Sequence, residues 1–247
     1  MPSAPGRGAL LFVLATMVLG PVLLPQALWT RRSVPRLPEA AGPRHGSGGT
    51  GPPLRLLICG DSAAAGVGAE RQVQALSGQL LRRLEQRFTV HWRLEARSGA
   101  TTAAALAGLQ ALDGGPFDVA ITSLGVNDVI SPISLRRWLR QQRELRELLR
   151  ERFGVTRLLI SGLPPMHAFP ALPQPLRWYL GLRASRFDAA LRGDLENGSS
   201  RAGGSSHYLG LRFSENAAQM AADGMHPGPG AYAEWARSAA ELIPDLP

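Results

Sequence analysis

The spacing of apolar residues along the chain switches repeatedly between two periods, and the switching predicts most of the fold. Residues 54–59 are almost continuously apolar, the pattern of a short strand buried on both faces. Val73, Leu76, Leu80, Leu84 and Phe88 then recur at helical spacing, which predicts a helix over about 70–87. Residues 89–94 alternate, with Val90, Trp92 and Leu94 on one face, as a second strand would. The Ala/Leu-rich stretch 101–112 reads as a helix and 117–124 as a third strand. Residues 135–153 form a long amphipathic pattern, with Leu135, Trp138, Leu139, Leu145, Leu148 and Leu149 facing inward. Strands at 155–161 and 208–213 and a closing helix at 231–243 complete the reading. Strands separated by helices imply an α/β fold: a parallel sheet of about five strands with helices on both faces.

Two N-terminal segments fall outside that alternation. Residues 9–29 are apolar apart from breaks such as Gly20, Pro21, Pro25 and Gln26, with Arg7 before them and Arg31, Arg32, Arg36 and Arg44 after. Residues 1–30 are therefore expected to be a membrane anchor or a signal peptide. The anchor is favoured, because Pro25-Gln26-Ala27 is a poor cleavage site and prolines are tolerated in membrane helices. The protein would then be membrane-anchored or exported to the cell envelope. Its side stays open, since the arginine excess after the stretch and the signal-like start point opposite ways. Residues 31–53, rich in Pro, Gly, Ser and Arg, read as a flexible tether leading to a domain at 54–247.

Composition removes several chemistries. All 27 basic residues are arginine, so there is no P-loop lysine, no Schiff-base lysine and no serine–lysine dyad. The Gly-containing run 63–68 lacks the Gly-x-Gly-x-x-Gly spacing of a phosphate cradle. A net charge of +8 invites a nucleic-acid partner. The arginines, however, alternate with glutamates, as in Arg143-Glu144-Leu145-Arg146-Glu147, which describes solvated helix faces, and no nucleic acid is expected. The single cysteine, Cys59, can form neither an intrachain disulfide nor a zinc cluster, and packing is its expected role. No metal and no cofactor are expected.

Candidate chemistry sits at the ends of the predicted strands. Gly60-Asp61-Ser62 closes the first, Ser98-Gly99-Ala100-Thr101 follows the second, and Gly125-Val126-Asn127-Asp128 follows the third. Far downstream comes Asp223-Gly224-Met225-His226-Pro227. Of five histidines, only His226 has a carboxylate three residues before it and a proline immediately after. The four blocks, in this order and across roughly Leu54 to Trp235, resemble the SGNH (GDSL-type) hydrolase superfamily. A departure is Ala63, where a leucine often follows Gly-Asp-Ser; it removes no catalytic group.

The resemblance implies a flavodoxin-like three-layer α/β/α sandwich and a metal-independent serine esterase. Ser62 would be the nucleophile, opening a helix at a strand end, with His226 as general base and Asp223 orienting it. The backbone N–H groups of Ser62 and Gly99 and the side chain of Asn127 would form the oxyanion hole. The substrate would be a carboxylic ester or thioester, on a lipid, acyl or acetyl group. An acyltransferase using the same residues and a catalytically idle binding module are the alternatives. The Pro- and aromatic-rich stretch 163–179 follows the fourth strand, so Met166, Phe169 and Trp178 are expected to line an acyl or leaving-group pocket. Residues 197–206, rich in Gly and Ser, read as a mobile surface loop.

Overall fold

The computed structural model describes residues 7–198 and 205–244. Among these residues six strands form one sheet: β1 (His45–Gly48), β2 (Pro53–Gly60), β3 (Thr89–Ala96), β4 (Val119–Ser123), β5 (Arg157–Ser161) and β6 (Ser205–Leu209). Their spatial order is β1-β3-β2-β4-β5-β6. All neighbours run parallel except β1, which pairs antiparallel with β3. The parallel part has the doubly wound, flavodoxin-like order, in which the winding reverses between β2 and β4.

Among the described residues seven α-helices accompany the sheet: α1 (Arg7–Ser33), α2 (Leu76–Leu84), α3 (Thr102–Gln110), α4 (Val126–Ile130), α5 (Leu135–Glu151), α6 (Leu176–Gly198) and α7 (Pro229–Glu241). Alternate residues of β2 reach opposite layers. Leu57 and Cys59 join a core with Leu106, Trp138, Leu149 and Phe187 of α3, α5 and α6. Leu56 and Ile58 join another with Leu80 and Leu84 of α2 and Trp235 and Ala239 of α7. Burial on both faces is why β2 and β4 read as continuous apolar runs. The free N–H groups at two helix starts are taken up by the hydroxyls of Thr101 and Ser134, caps worth about 1 kcal/mol each.

Several predicted boundaries move. The expected helix over 70–87 contracts to α2, preceded by a short 3₁₀ turn over Gln72–Gln74. Residues 62–68 are a run of turns closed by bonds such as Ala65 N–H to the Asp61 carbonyl and Val67 N–H to the Ser62 carbonyl. Ser62 therefore opens a turn, not a helix. Val73, expected on the inner face, is exposed. The last strand lies earlier than 208–213, because its register with β5 runs from Arg157–Ser205 to Ser161–Leu209 and ends where β5 ends. Of the loop expected over 197–206, residues 197–198 end α6 and 205–206 begin β6; residues 199–204 lie outside the described residues.

The segment read as a flexible tether is bound along the domain. It supplies β1, and Ala41 N–H donates to the Glu70 carbonyl while Gln72 N–H donates to the Ala41 carbonyl. Its glycines and prolines carry almost no apolar pattern, so an edge strand of Gly46 and Gly48 was invisible to periodicity. The apolar N-terminal stretch is helical as α1, lies against α6, and puts Leu23 into the core. Among the described residues, no helix is long and apolar enough to cross a membrane.

Candidate active site

The site lies where open α/β sheets place ligands, beyond the carboxyl ends of the strands at the winding reversal. Ser62 follows β2, Asn127 follows β4, and the loop before α7 carries Asp223 and His226. His226 Nε2 is 2.8 Å from Ser62 Oγ. His226 Nδ1 is 2.6 Å from Asp223 Oδ2. Asp223 is buried, and its other oxygen accepts the backbone N–H groups of Met225 and His226 at 3.0 and 3.1 Å. Burial would raise the Asp223 carboxyl, but the hydrogen bond and charge of His226 and the two backbone donors outweigh it and hold it below the usual range. An ionised Asp223 fixes the proton on Nδ1, leaving Nε2 free to accept from the Ser62 hydroxyl.

The serine and histidine loops are tied to each other behind the reacting atoms. The Tyr232 hydroxyl, on α7, donates to the Val67 carbonyl at 2.7 Å. The Gly224 carbonyl accepts Ala171 N–H at 3.4 Å, which seats the loop after β5 against the histidine loop.

Gly99 has φ +79°, in the left-handed region, and a Cβ there would meet nothing within 4 Å. The glycine is favoured there by backbone conformation, since no protein atom would crowd a side chain. Asn127 Nδ2 donates to the Ala100 carbonyl at 3.0 Å and more weakly to Asp61 Oδ2 at 3.4 Å. The first bond anchors the amide to the Gly99 loop. The second is long enough to yield to a better acceptor.

Two acidic residues next to these blocks act on loops. Asp128 is buried and accepts the Thr102 N–H at 3.0 Å and the Thr102 hydroxyl at 2.8 Å. That hydroxyl in turn accepts Trp138 Nε1 at 3.2 Å and Gln142 Nε2 at 3.0 Å. The network locks the start of α3 to the Asn127 turn. Asp61 is buried and accepts Ala63 N–H at 3.1 Å. Burial pushes its carboxyl up to about 7, against the opposing pull of the Ala63 N–H and of His226.

That shift sets a pH dependence. The folded-state value lies above the ordinary 3.8, so the contribution of Asp61 to stability is complete at low pH. It is lost as pH rises through about 7. Asp61→Asn, which cannot ionise, should gain on the wild type by on the order of 1–3 kcal/mol between about pH 5 and about pH 8. Denaturant midpoints at the two pH values check this; a parallel pH response in both proteins would contradict it.

The expected pocket wall is only partly there. Met166 and Phe169 are fully buried, and Phe169 stacks on Phe213 with centroids 6.5 Å apart, so neither offers an open surface. Met166 opens a tight 3₁₀ turn over Met166–Ala168 and folds back into the core, while His167 of the same turn is exposed. Trp178 is exposed, but on α6 beside α1. A recess of about 710 Å³ lies elsewhere, between the β1–β3 edge and the loop at Pro116, lined by residues such as His45, Arg55, His91 and Arg93. Arg55 there is already paired with Asp118 and Arg93 with Glu95, and the recess holds none of the four motif blocks.

Sequence reasoning missed Glu39. Its carboxylate accepts Ser98 N–H at 2.7 Å and Arg44 at 3.0 Å, steadying the Gly99 loop from the segment taken for a tether. A Pro/Gly-rich stretch carries no pattern that would single it out. Thr102 and Gln142 were likewise unmarked, since their use depends on a tertiary contact between α3 and α5.

The fold and the Ser–His–Asp geometry define an SGNH-type hydrolase. A model of the GDSL-like lipase/acylhydrolase family matches residues 58–234, and the chain belongs to that family. It is accordingly a hydrolase of esters in the general sense. Solved structures share the fold at low identity. A crystal structure of TesA is 23% identical, with 76% of this chain and 97% of that chain covered and a TM-score of 0.57. A member of the lipolytic protein G-D-S-L family from Veillonella parvula is 13% identical, with coverages of 78% and 100% and a TM-score of 0.60. The psychrotrophic esterase EstA from Pseudoalteromonas, inhibited by monoethylphosphonate, is 16% identical, with coverages of 76% and 96% and a TM-score of 0.54. No curated protein sequence matches the chain.

Proposed function

We propose that the protein is a serine esterase that cleaves a carboxylic ester or thioester through an acyl-Ser62 intermediate. The observation that carries this is the continuous hydrogen-bonded line from Ser62 Oγ through His226 to Asp223. Ser62 Oγ attacks the acyl carbon while His226 Nε2 takes its proton. The carbonyl π pair becomes the oxyanion, held by the N–H groups of Ser62 and Gly99 and by the Asn127 amide. Collapse expels the alcohol or thiol, which leaves with the proton from His226. Water then attacks the acyl-enzyme, giving its proton to His226, and the second collapse returns that proton to Ser62 Oγ as the acid departs. Asp223 stays ionised throughout and stabilises the imidazolium in both halves.

Asn127 enters this cycle by exchanging its weak bond to Asp61 for one to the oxyanion, while Ala100 keeps the amide in place. Removing such a donor costs about 10²–10³-fold in kcat. Asn127→Ala should show that loss with a nearly unchanged KM on p-nitrophenyl butyrate. An equal fall in binding and turnover would point to a ground-state contact instead. The proposal as a whole is tested by p-nitrophenyl acetate and butyrate hydrolysis together with a fluorophosphonate label. Turnover and labelling that both require Ser62 support it, and a folded, active protein labelled elsewhere refutes it.

A further inference from the structure

Helix α1 rests on the domain through Leu19, Leu23 and Ala27 together with polar contacts of Thr16 and Gln26, and its open side is apolar as well. Thr16 Oγ1 meets the Tyr179 hydroxyl at 3.1 Å. Gln26 Nε2 donates to the Gln174 carbonyl at 2.6 Å, and Gln26 Oε1 accepts Leu176 N–H at 3.1 Å. Thr30 is buried as well. Every exposed residue of α1 between 16 and 30 is apolar. Met17, Val18, Leu24 and Trp29 stand 65%, 74%, 64% and 60% exposed. A helix resting on a water-soluble domain turns charged and polar residues to its open side, and α1 turns none there between 16 and 30. On the adjacent helix α6, Trp178 at 47% and Leu182 at 38% extend the same open surface.

We infer that this α1–α6 face docks on an anionic lipid surface, with α1 lying flat in the interface and still attached to the domain. The contacts of Thr16 and Gln26 are what argue for lying rather than spanning: a helix crossing the bilayer would have to give them up. Charge selects the occupant. The α1 segment contains no acidic residue, and it ends in exposed Arg31 and Arg32, with exposed Arg36 just beyond. An apolar face edged by tryptophan and arginine matches the interface between acyl chains and anionic headgroups. The position bears on the hydrolase. Gln26 holds the loop at Gln174–Leu176, and that same loop touches the histidine loop through Ala171 and Gly224. Docking would therefore bring the lip of the site to the lipid surface.

The test is flotation of the full chain with vesicles of phosphatidylglycerol and phosphatidylcholine, compared with phosphatidylcholine alone. Wild type should float with the anionic vesicles and be released by alkaline carbonate. Val18→Glu/Leu24→Glu/Trp29→Glu should lower recovery roughly tenfold or more while leaving hydrolysis of a soluble ester unchanged. Arg31→Gln/Arg32→Gln should remove the preference for anionic vesicles. Should the triple variant misfold, Trp178→Glu/Leu182→Glu on α6 gives an independent reading, with reduced recovery expected. Three results would overturn the inference: flotation of the variants equal to wild type, protein that resists carbonate and so spans, or a lipid-indifferent dimer that the triple variant splits. Because the readout is binding, it stands or falls separately from the acyl-Ser62 chemistry.

Discussion

Ser62→Ala is expected to lower ester hydrolysis by about 10⁴–10⁶-fold while leaving the fold intact. The residue is only partly buried, and among the described residues its hydroxyl meets His226 Nε2 at 2.8 Å, so the smaller side chain should leave the fold in place. His226→Ala should fall into the same range, because an alkoxide cannot form near neutral pH without the imidazole to take its proton. The two losses should not add: once either atom is gone, the line from Ser62 to Asp223 no longer works as a unit. Asp223→Asn should cost somewhat less, about 10⁴-fold, by removing the charge that holds the imidazole tautomer. Single-turnover assays with p-nitrophenyl butyrate, paired with fluorophosphonate labelling, separate these cases. A double variant much slower than either single one would mean that Ser62 and His226 act in different steps.

How much of this was readable in advance depends on the range of the interaction. The parallel strands were legible, because burial on both faces writes a continuous apolar run into β2 and β4. The first three blocks were legible too, since each follows a strand where topology gathers ligand-facing residues, and the fourth, on the loop before α7, was marked by a carboxylate three residues before His226 and a proline after it. Edge strand β1 was not, as it packs almost no side chains and is held by backbone bonds to β3. The helix expected over 70–87 starts too early, because Val73 keeps helical spacing with Leu76 and Leu80 although it is exposed. Glu39 and Thr102 illustrate the deeper limit. Their partners, Ser98 and Asp128, lie 59 and 26 residues away, and nothing local distinguishes them from any other surface acid or helix-start threonine.

Gly68→Ala should damage activity severely from outside the reacting groups, and the expectation follows from the packing of two loops. Gly68 ends the turns after Ser62 and has φ +98°, a conformation L side chains rarely adopt. A Cβ at this position would come within 2.2 Å of the Pro227 carbonyl oxygen and 2.9 Å of Ala221 Cβ. Both contacts belong to the loop that carries His226, and the nearer one is backbone, which cannot swing aside as a side chain can. The serine turn and the histidine loop must therefore separate. The bond at risk is the 2.8 Å contact between His226 Nε2 and Ser62 Oγ, because the Tyr232–Val67 bond holds the serine turn to α7 from behind. A displacement of about 1 Å between reacting groups is enough to cost roughly 10²-fold in rate. The strained backbone adds a stability loss of about 1–3 kcal/mol. The expected signature is a kcat lowered at least 10²-fold with a modest fall in denaturant midpoint and little change in KM. Slower fluorophosphonate labelling at Ser62 should accompany it, since the same His226 activates the serine toward the probe. Wild-type labelling and turnover in a Gly68→Ala protein would show that the two loops can part without moving the histidine, and the packing account of the site would be wrong.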